Sequence, residues 1–352
     1  MTTRRQVLAG LLATGLAARP TWADVGGPAF LSAAGRPDGS FALCGLNAQG
    51  NVMFRLPLPA RGHAAAAHPT RPEAVAFARR PGTFAIVIDC RNGASLATLN
   101  APQGRHFYGH GVFSQDGARL YTTENDYTNA RGRIGIWDAK TYTRIGEIGS
   151  GGVGPHDLKR LHNTDTLVVA NGGIETHPDS GRTKLNLPTM RPNLSYIEDS
   201  QIIEQVTLNP DLHKNSIRHL AVSLTGDVAF GMQWQGGPDP VPLVGLHKRG
   251  GAARLAGAPS DRWRDMQAYV GSIAFSNDGK TVAATSPRGG VVQLFDAPPA
   301  TLNAQRKMAD ACGIAQSENG LVVTSGTGAV RMLGGATTQA NGLMWDNHLI
   351  AL

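Results

Sequence analysis

Beyond residue 23 the chain has no apolar run long enough to cross a bilayer, which takes roughly 20 residues. Charged residues are scarce at 17%. No stretch combines clustered basic residues with aromatics, so nucleic acid is not an expected partner. Cysteine is scarcer still: Cys44, Cys90 and Cys312 make up the whole set. With no CxxC and no CxxCH, a covalently attached c-type haem is not expected. Cys44 and Cys90 could pair across neighbouring repeats in an oxidising compartment; two free buried thiols is the plainer reading. GxSxG, HExxH and P-loop spacings are absent, which removes the usual hydrolase, zincin and P-loop nucleotide signals.

The first residues read as a targeting segment. Arg4-Arg5 precede an apolar run from Val7 to Ala18, and Thr21-Trp22-Ala23 supplies a small-x-small cleavage pattern. Paired arginines ahead of a weakly apolar stretch are similar to a twin-arginine export signal; an ordinary secretory leader is the alternative. Residues 1–23 are thus expected to be a cleaved export signal, with 24–352 a single domain working in the periplasm. Without Arg4, Arg5 and Arg19 the formal charge of +7 falls to +4.

Glycine is what the sequence has in abundance, with 44 residues. Many glycines and few charges suit short strands and tight turns. The stretch Phe107 to Asp138 is the clearest unit: an apolar run, a Gln115-Asp116-Gly117 turn, a second run, a polar loop, and a third run ending at Trp137. Copies recur around Asn277-Asp278-Gly279, in HLAVSLTGDVAFGMQW, in ACGIAQSENGLVVTSG and in HAAAAHPTRPEAVAFAR. Each holds apolar runs of four to seven residues bounded by Gly, Asp, Asn or Pro, the pattern of strands and hairpins. Seven units in the 329 residues after the leader average 47 each, the size of a four-stranded propeller blade. The expectation is all-β: a seven-bladed β-propeller of four-stranded antiparallel blades, with six or eight as the alternatives. Its ring would be closed by N- and C-terminal strands drawn from Pro28 to Ala33 and Leu343 to Leu352.

In such a ring the start of each inner strand and the end of each second strand share one face. His110, His156 and His219 stand at or just before inner strands, and His63 holds a similar place; the serial spacings are 47, 46 and 63. Fifteen residues after three of them come Asn125, Asn171 and Trp234, which begin the longest polar loops. The histidines and these loops should converge on one mouth, where function concentrates on a rigid scaffold. His68, His162, His213, His247 and His348 lack this placement and read as structural or exposed.

The least repeat-like stretch, about 171–193, is too long for a simple connection and reads as a binding loop or lid. It offers Glu175, His177, Asp179, Arg182, Lys184 and Arg191. With Arg218 its cations could receive an anion, or the loop could be a solvated segment whose charges cancel. A ring of histidines suits iron, copper or zinc, with His110, His156 and His219 the first candidates as ligands. The bland alternative is that they order water and satisfy strand ends. His156 with Asp157, or His219 with Glu124, could act as general acid or base.

Several stretches, among them FYGHGVFSQDG, GPHDL, VVANGGIETHPDSGRTKLNLPTMRPNLSY, SIRHLAVS and the terminal WDNHL, resemble an uncharacterised bacterial family of twin-arginine-exported propellers, a domain of unknown function. The resemblance implies a seven-bladed periplasmic propeller. It also implies a role beside imelysin-type and di-haem peroxidase-like proteins in iron uptake, since genes of the family tend to lie near theirs. The run Ala64 to Ala67 departs from it, being small for an inner strand. The leading expectation is a monomeric accessory protein that binds a metal, a metal chelate or a partner protein at the histidine-bearing mouth. The competing readings are a propeller enzyme, a lactonase-like hydrolase or an oxidoreductase subunit, and an interaction scaffold.

Overall fold

A computed structural model describes residues 20–79, 83–181 and 183–352. Residues 1–19, which hold most of the expected leader, lie outside the described residues, as does Arg182. Trp22, at the end of the expected leader, packs beside Leu31 and Leu56 and donates its indole N–H to the His68 carbonyl at 2.9 Å. Among the described residues no helix is long and apolar enough to cross a membrane.

The strands form seven antiparallel sheets of four. In blades II to VII the four strands run in chain order from the innermost outward. Their inner strands are Gly62–Ala67, Arg105–Phe113, Pro155–Arg160, Asn215–Val222, Ser272–Phe275 and Ala311–Ser317. Blade I is shared by the chain ends. Met344–Ala351 is its inner strand and pairs antiparallel with Phe30–Gly35, which leads to Phe41–Leu46 and Val52–Leu58. Consecutive inner strands contact one another all the way round, and the C-terminal strand meets that of blade II. The closure expected from Leu343 to Leu352 and Pro28 to Ala33 is therefore observed.

The strands form where the sequence alternates or runs apolar between turn residues. Ser114-Gln115-Asp116-Gly117 shows the recurring turn. Asp116 accepts from the Ser114 hydroxyl at 2.6 Å, and Gly117 takes φ 70°, a left-handed conformation that glycine adopts without strain. Ser276, Asp278 and Gly279 repeat it. The core is divided into wedges between blades. The small Ala64 to Ala66 strand is fully buried because its neighbours supply the bulk: Phe77, Phe107, Phe113 and Trp137 on one side, Leu31, Leu43 and Leu56 on the other. Cys44, Cys90 and Cys312 are all buried and free, and burial pushes the Cys44 and Cys90 thiols up to about 12.

Trp345 anchors the closing strand. It is 2% exposed, packs in the wedge with Phe30 and Val330, and donates to the Gly328 carbonyl at 3.2 Å. Replacing it with Ala should destabilise the protein by about 3–5 kcal/mol, measured by urea unfolding. A loss below about 1 kcal/mol would show that closure does not depend on this anchor.

Candidate metal centre and its mouth

The inner strands share an irregularity at one height. In six of the seven blades the register slips near the start of the inner strand or, in blade I, within it. The extra residues are His63-Ala64, Tyr108 to His110, His156, Arg218, Cys312-Gly313 and Asp346 to His348. Blade VI alone is regular. A bulge breaks the two-residue alternation and re-aims a side chain. Here the bulges hold His63, His110, His156 and His348 in four blades and Arg218, next to His219, in a fifth.

Five histidines meet there. Ring centroids lie 4.5 Å apart for His63–His348 and for His110–His348, 4.9 Å for His156–His219, 5.0 Å for His63–His110 and 5.1 Å for His110–His156. One nitrogen each from His63, His110 and His156 falls within 4.8 Å of the other two. Nitrogens on one tetrahedral ion at 2.0–2.1 Å stand about 3.4 Å apart, so any pair at the upper end of that range must draw in. Gly109 allows the approach: at φ 98° it sits where L residues are strained, and a Cβ there would meet His63 Cδ2 at 2.5 Å.

Outer contacts aim the rings. The His110 Nδ1 lies 3.0 Å from Asp157 Oδ1, while its buried Nε2 has no hydrogen-bond partner. His156 donates through Nδ1 to the Arg218 carbonyl at 3.0 Å, leaving Nε2 as its lone-pair atom. His63 Nδ1 lies 3.7 Å from Asp346 Oδ1. Carboxylates and carbonyls behind imidazoles fix ring orientation and tautomer in metal sites. Both nitrogens of His219 and the Nε2 of His348 are also buried without hydrogen-bond partners among the described residues. Orphaned buried polar atoms are costly and rare in folded proteins, and neutral imidazole nitrogens are good ligands for Zn, Cu and Fe.

Burial keeps His63, His156, His219 and His348 uncharged. It pushes His63 down to about 4, with the field of His110 adding and the contact with Asp346 opposing. It holds His156, His219 and His348 well below their ordinary value too, helped by Arg218 in the first two. The two carboxylates go the other way. Burial raises Asp157 and Asp346, but Lys159 and His110 outweigh it for the first, and His63, Arg79 and Arg61 for the second, so both stay ionised.

A cavity of about 640 Å³ opens above His63, His156 and His219. Its walls carry Arg79, Lys184, Arg218 and Arg288, and no carboxylate among the described residues that line it. The 171–193 insertion forms part of the roof. Its ends are fastened by Asn171, which donates to the Ser150 carbonyl at 2.8 Å and to Asn193 Oδ1 at 2.9 Å. Within it Asn186 accepts from the Glu175 backbone N–H at 2.7 Å and donates to Gly173 at 2.9 Å. Lys184 reaches across to donate to Gln235 Oε1 in the loop after blade V's second strand.

The residues singled out from spacing divide into three groups. His63, His110, His156 and His219 converge as expected, with Asp157 behind His110. Of the candidate ligands His110, His156 and His219, the third is replaced by His63 in the tightest set; His219 stays beside His156. Arg218 and Trp234 line the cavity, whereas Arg191 is exposed outside it. The third group is structural. Glu124 is fully buried and bound by Arg144 at 2.5 Å and Arg105 at 3.5 Å. Asn125 donates to the Thr176 carbonyl at 3.2 Å. His177 caps a short turn by accepting from the Asp179 N–H at 3.3 Å, and Glu175 takes part through its backbone alone. His348 differs from its expected structural or exposed role. It lies in the cluster because the closing strand bulges at Asp346 to His348. Arg79, Tyr269, Arg288 and Asn347 were also not singled out, though each lines the cavity.

The family model described as "Protein of unknown function (DUF1513)" matches residues 56–352. No curated protein matches the chain. Among solved structures, the chain is similar to Kuenenia stuttgartiensis hydrazine synthase, with a TM-score of 0.64 at 13% identity over 94% of this chain and 99% of that one. At that identity the similarity carries the fold alone.

Neutral burial of histidines makes the metal-free protein acid-sensitive. With His63 at about 4 when folded against 6.5 otherwise, the unfolded chain takes up the proton first. Stability is therefore full above pH 6.5 and drains away as pH falls toward 4. From His63 alone the loss between pH 7.5 and 5 is about 2 kcal/mol, with the other low-pKa histidines acting in the same direction. The melting temperature at pH 5 should be lower by roughly 3 °C or more; a flat profile would contradict neutral burial.

Proposed function

We propose that this chain, which belongs to the DUF1513 family, is an exported binding protein. It holds a transition metal, free or as a small chelate, at the His63–His110–His156 cluster, and serves metal acquisition in the periplasm. One observation carries the proposal: three imidazoles from three blades, His110 and His156 buried and His63 partly buried, offer nitrogens within 4.8 Å of one another. Asp157, Asp346 and the Arg218 carbonyl behind them fit the outer layer of such a site. A bound metal would supply a coordination centre there; the protein's own residues orient the rings and shield them beneath the mouth. The sequence resemblance to exported propellers encoded near iron-uptake genes supports iron as the metal and imelysin-type or di-haem peroxidase-like proteins as partners.

The His110–Asp157 contact at 3.0 Å also favours a second reading. A carboxylate-backed imidazole can serve as a general base, so a propeller enzyme using this dyad remains the competitor. Asp157→Asn separates them: an enzyme loses turnover, whereas a binding protein loses metal affinity by about 10–100-fold.

Metal analysis and thermal shift test the main reading. Purified protein titrated with Fe(II), Cu(II) or Zn(II) should bind one equivalent and gain about 2.7 kcal/mol of stability at a hundredfold excess over Kd. His110→Ala with His156→Ala should abolish the effect, and His177→Ala should leave it intact. If none of the three ions binds stoichiometrically or raises the melting temperature, the metal reading fails.

A further inference from the structure

The mouth and the floor of this site make opposite electrostatic demands. Imidazoles at the floor suit a cation. The walls above them are cationic, so a bare hydrated metal ion would be repelled on entry. The four wall cations come from four separate places: Arg79 from blade II, Lys184 from the insertion, Arg218 from blade V's inner strand, and Arg288 from the loop after blade VI's second strand. Asp346 lies 3.1 Å from Arg79 and offsets it. Lys184 has Arg218 and Arg288 as its charged neighbours, which together with burial push its ammonium down. Arg288 lies 4.4 Å over the Tyr269 ring, fixing its guanidinium plane beside the cavity. Neutral donors, Gln233, Gln235 and Asn347, complete the polar lining.

We propose that this cavity is a receptor for a small di- or tricarboxylate, whose carboxylate groups pair with Lys184, Arg218 and Arg288 and whose remaining oxygens face the histidines. Guanidinium groups take carboxylates in bidentate geometry and lysine takes them as a point charge. Cations spread over several walls of a cavity this wide match a ligand with several anionic groups better than one with a single group. The ligand then resolves the electrostatic conflict: it enters as an anion and presents oxygen donors to a metal held from below. Only that last step rests on the metal reading; recognition of the carboxylates does not.

The experiment uses metal-free protein and tricarballylate, a tricarboxylate with no hydroxyl to strengthen chelation. Calorimetric titration should show one site. The affinity should fall at least tenfold in Lys184→Gln/Arg288→Gln, and also between 50 and 200 mM salt. Both replaced side chains are exposed, and the variant's melting temperature verifies that it folds. Acetate and inorganic phosphate should bind at least tenfold more weakly. The proposal is overturned if tricarballylate gives no binding, if the double variant binds it as the wild type does, or if phosphate competes on equal terms, which would mark a simple oxyanion site. His110→Ala/His156→Ala should keep tricarballylate and lose Zn(II); the Lys184/Arg288 variant should keep Zn(II) and lose tricarballylate. Failure of one reading is thus visible apart from failure of the other. Where both hold, zinc citrate binds the wild type more tightly than zinc or tricarballylate alone.

Discussion

The antiparallel ladder between Met344–Ala351 and Phe30–Gly35 is the interaction on which the rest depends. It removes the open sheet edges that an unclosed array would leave, and it brings the last polar residues of the chain to the axis. Asp346 reaches Arg61 at 2.8 Å, Arg79 at 3.1 Å and His63 at 3.7 Å, all in blade II. A carboxylate this buried is tolerable only with such partners. One strand therefore closes the ring, ties the seam between blades I and II, and places a carboxylate behind His63. Anything that loosens the C-terminus also displaces His348 and removes the carboxylate behind His63.

The second constraint is register. A regular inner strand points alternate side chains inward, and neighbouring blades would offer them at staggered heights. The recurrent bulges cancel this stagger. His63, His110, His156 and His348 lie in the bulges and His219 beside one, and the five rings meet at one level although their blades differ in length and loop. Blade VI, the regular one, contributes Ser272 and Ile273 near its strand start and no imidazole. The correspondence between bulge and axial polar residue ties the distortions to the site.

Much of this was legible in the sequence, for reasons that also explain what was not. The repeat period made the blades countable, and the His63, His110 and His156 spacings followed the period, so height within the ring could be read. Direction could not. Whether a strand-end residue faces the axis or the next sheet depends on pleat parity and on bulges that leave no local signal. Glu124 and Asn125, at the right height, turn away into ion pairs and loop contacts, while Arg218 turns in. His348 escaped because its blade is assembled from both chain ends, and no spacing can be counted across that join. Arg79 and Arg288 sit at loop positions that converge only once the ring exists. A clue to His348 was available: WDNHL places a carboxylate, an amide and an imidazole in one apolar strand, where buried polar groups need a reason.

The cationic mouth and the neutral floor are not independent features. Arg218 and Arg79 lower the proton affinity of the imidazoles beneath them, Arg218 for His156 and His219, Arg79 for His63. Burial alone would do most of this, but a buried base can still be recharged when an anion enters and supplies a counterion. With fixed cations already facing the cavity, an incoming carboxylate is neutralised by the walls first, and the nitrogens keep their lone pairs. On the proposed reading the same charges would select an anion at the entrance and preserve the donor atoms at the base. A mouth lined with carboxylates would do the reverse: it would attract bare cations and raise the histidines toward their protonated, non-binding form.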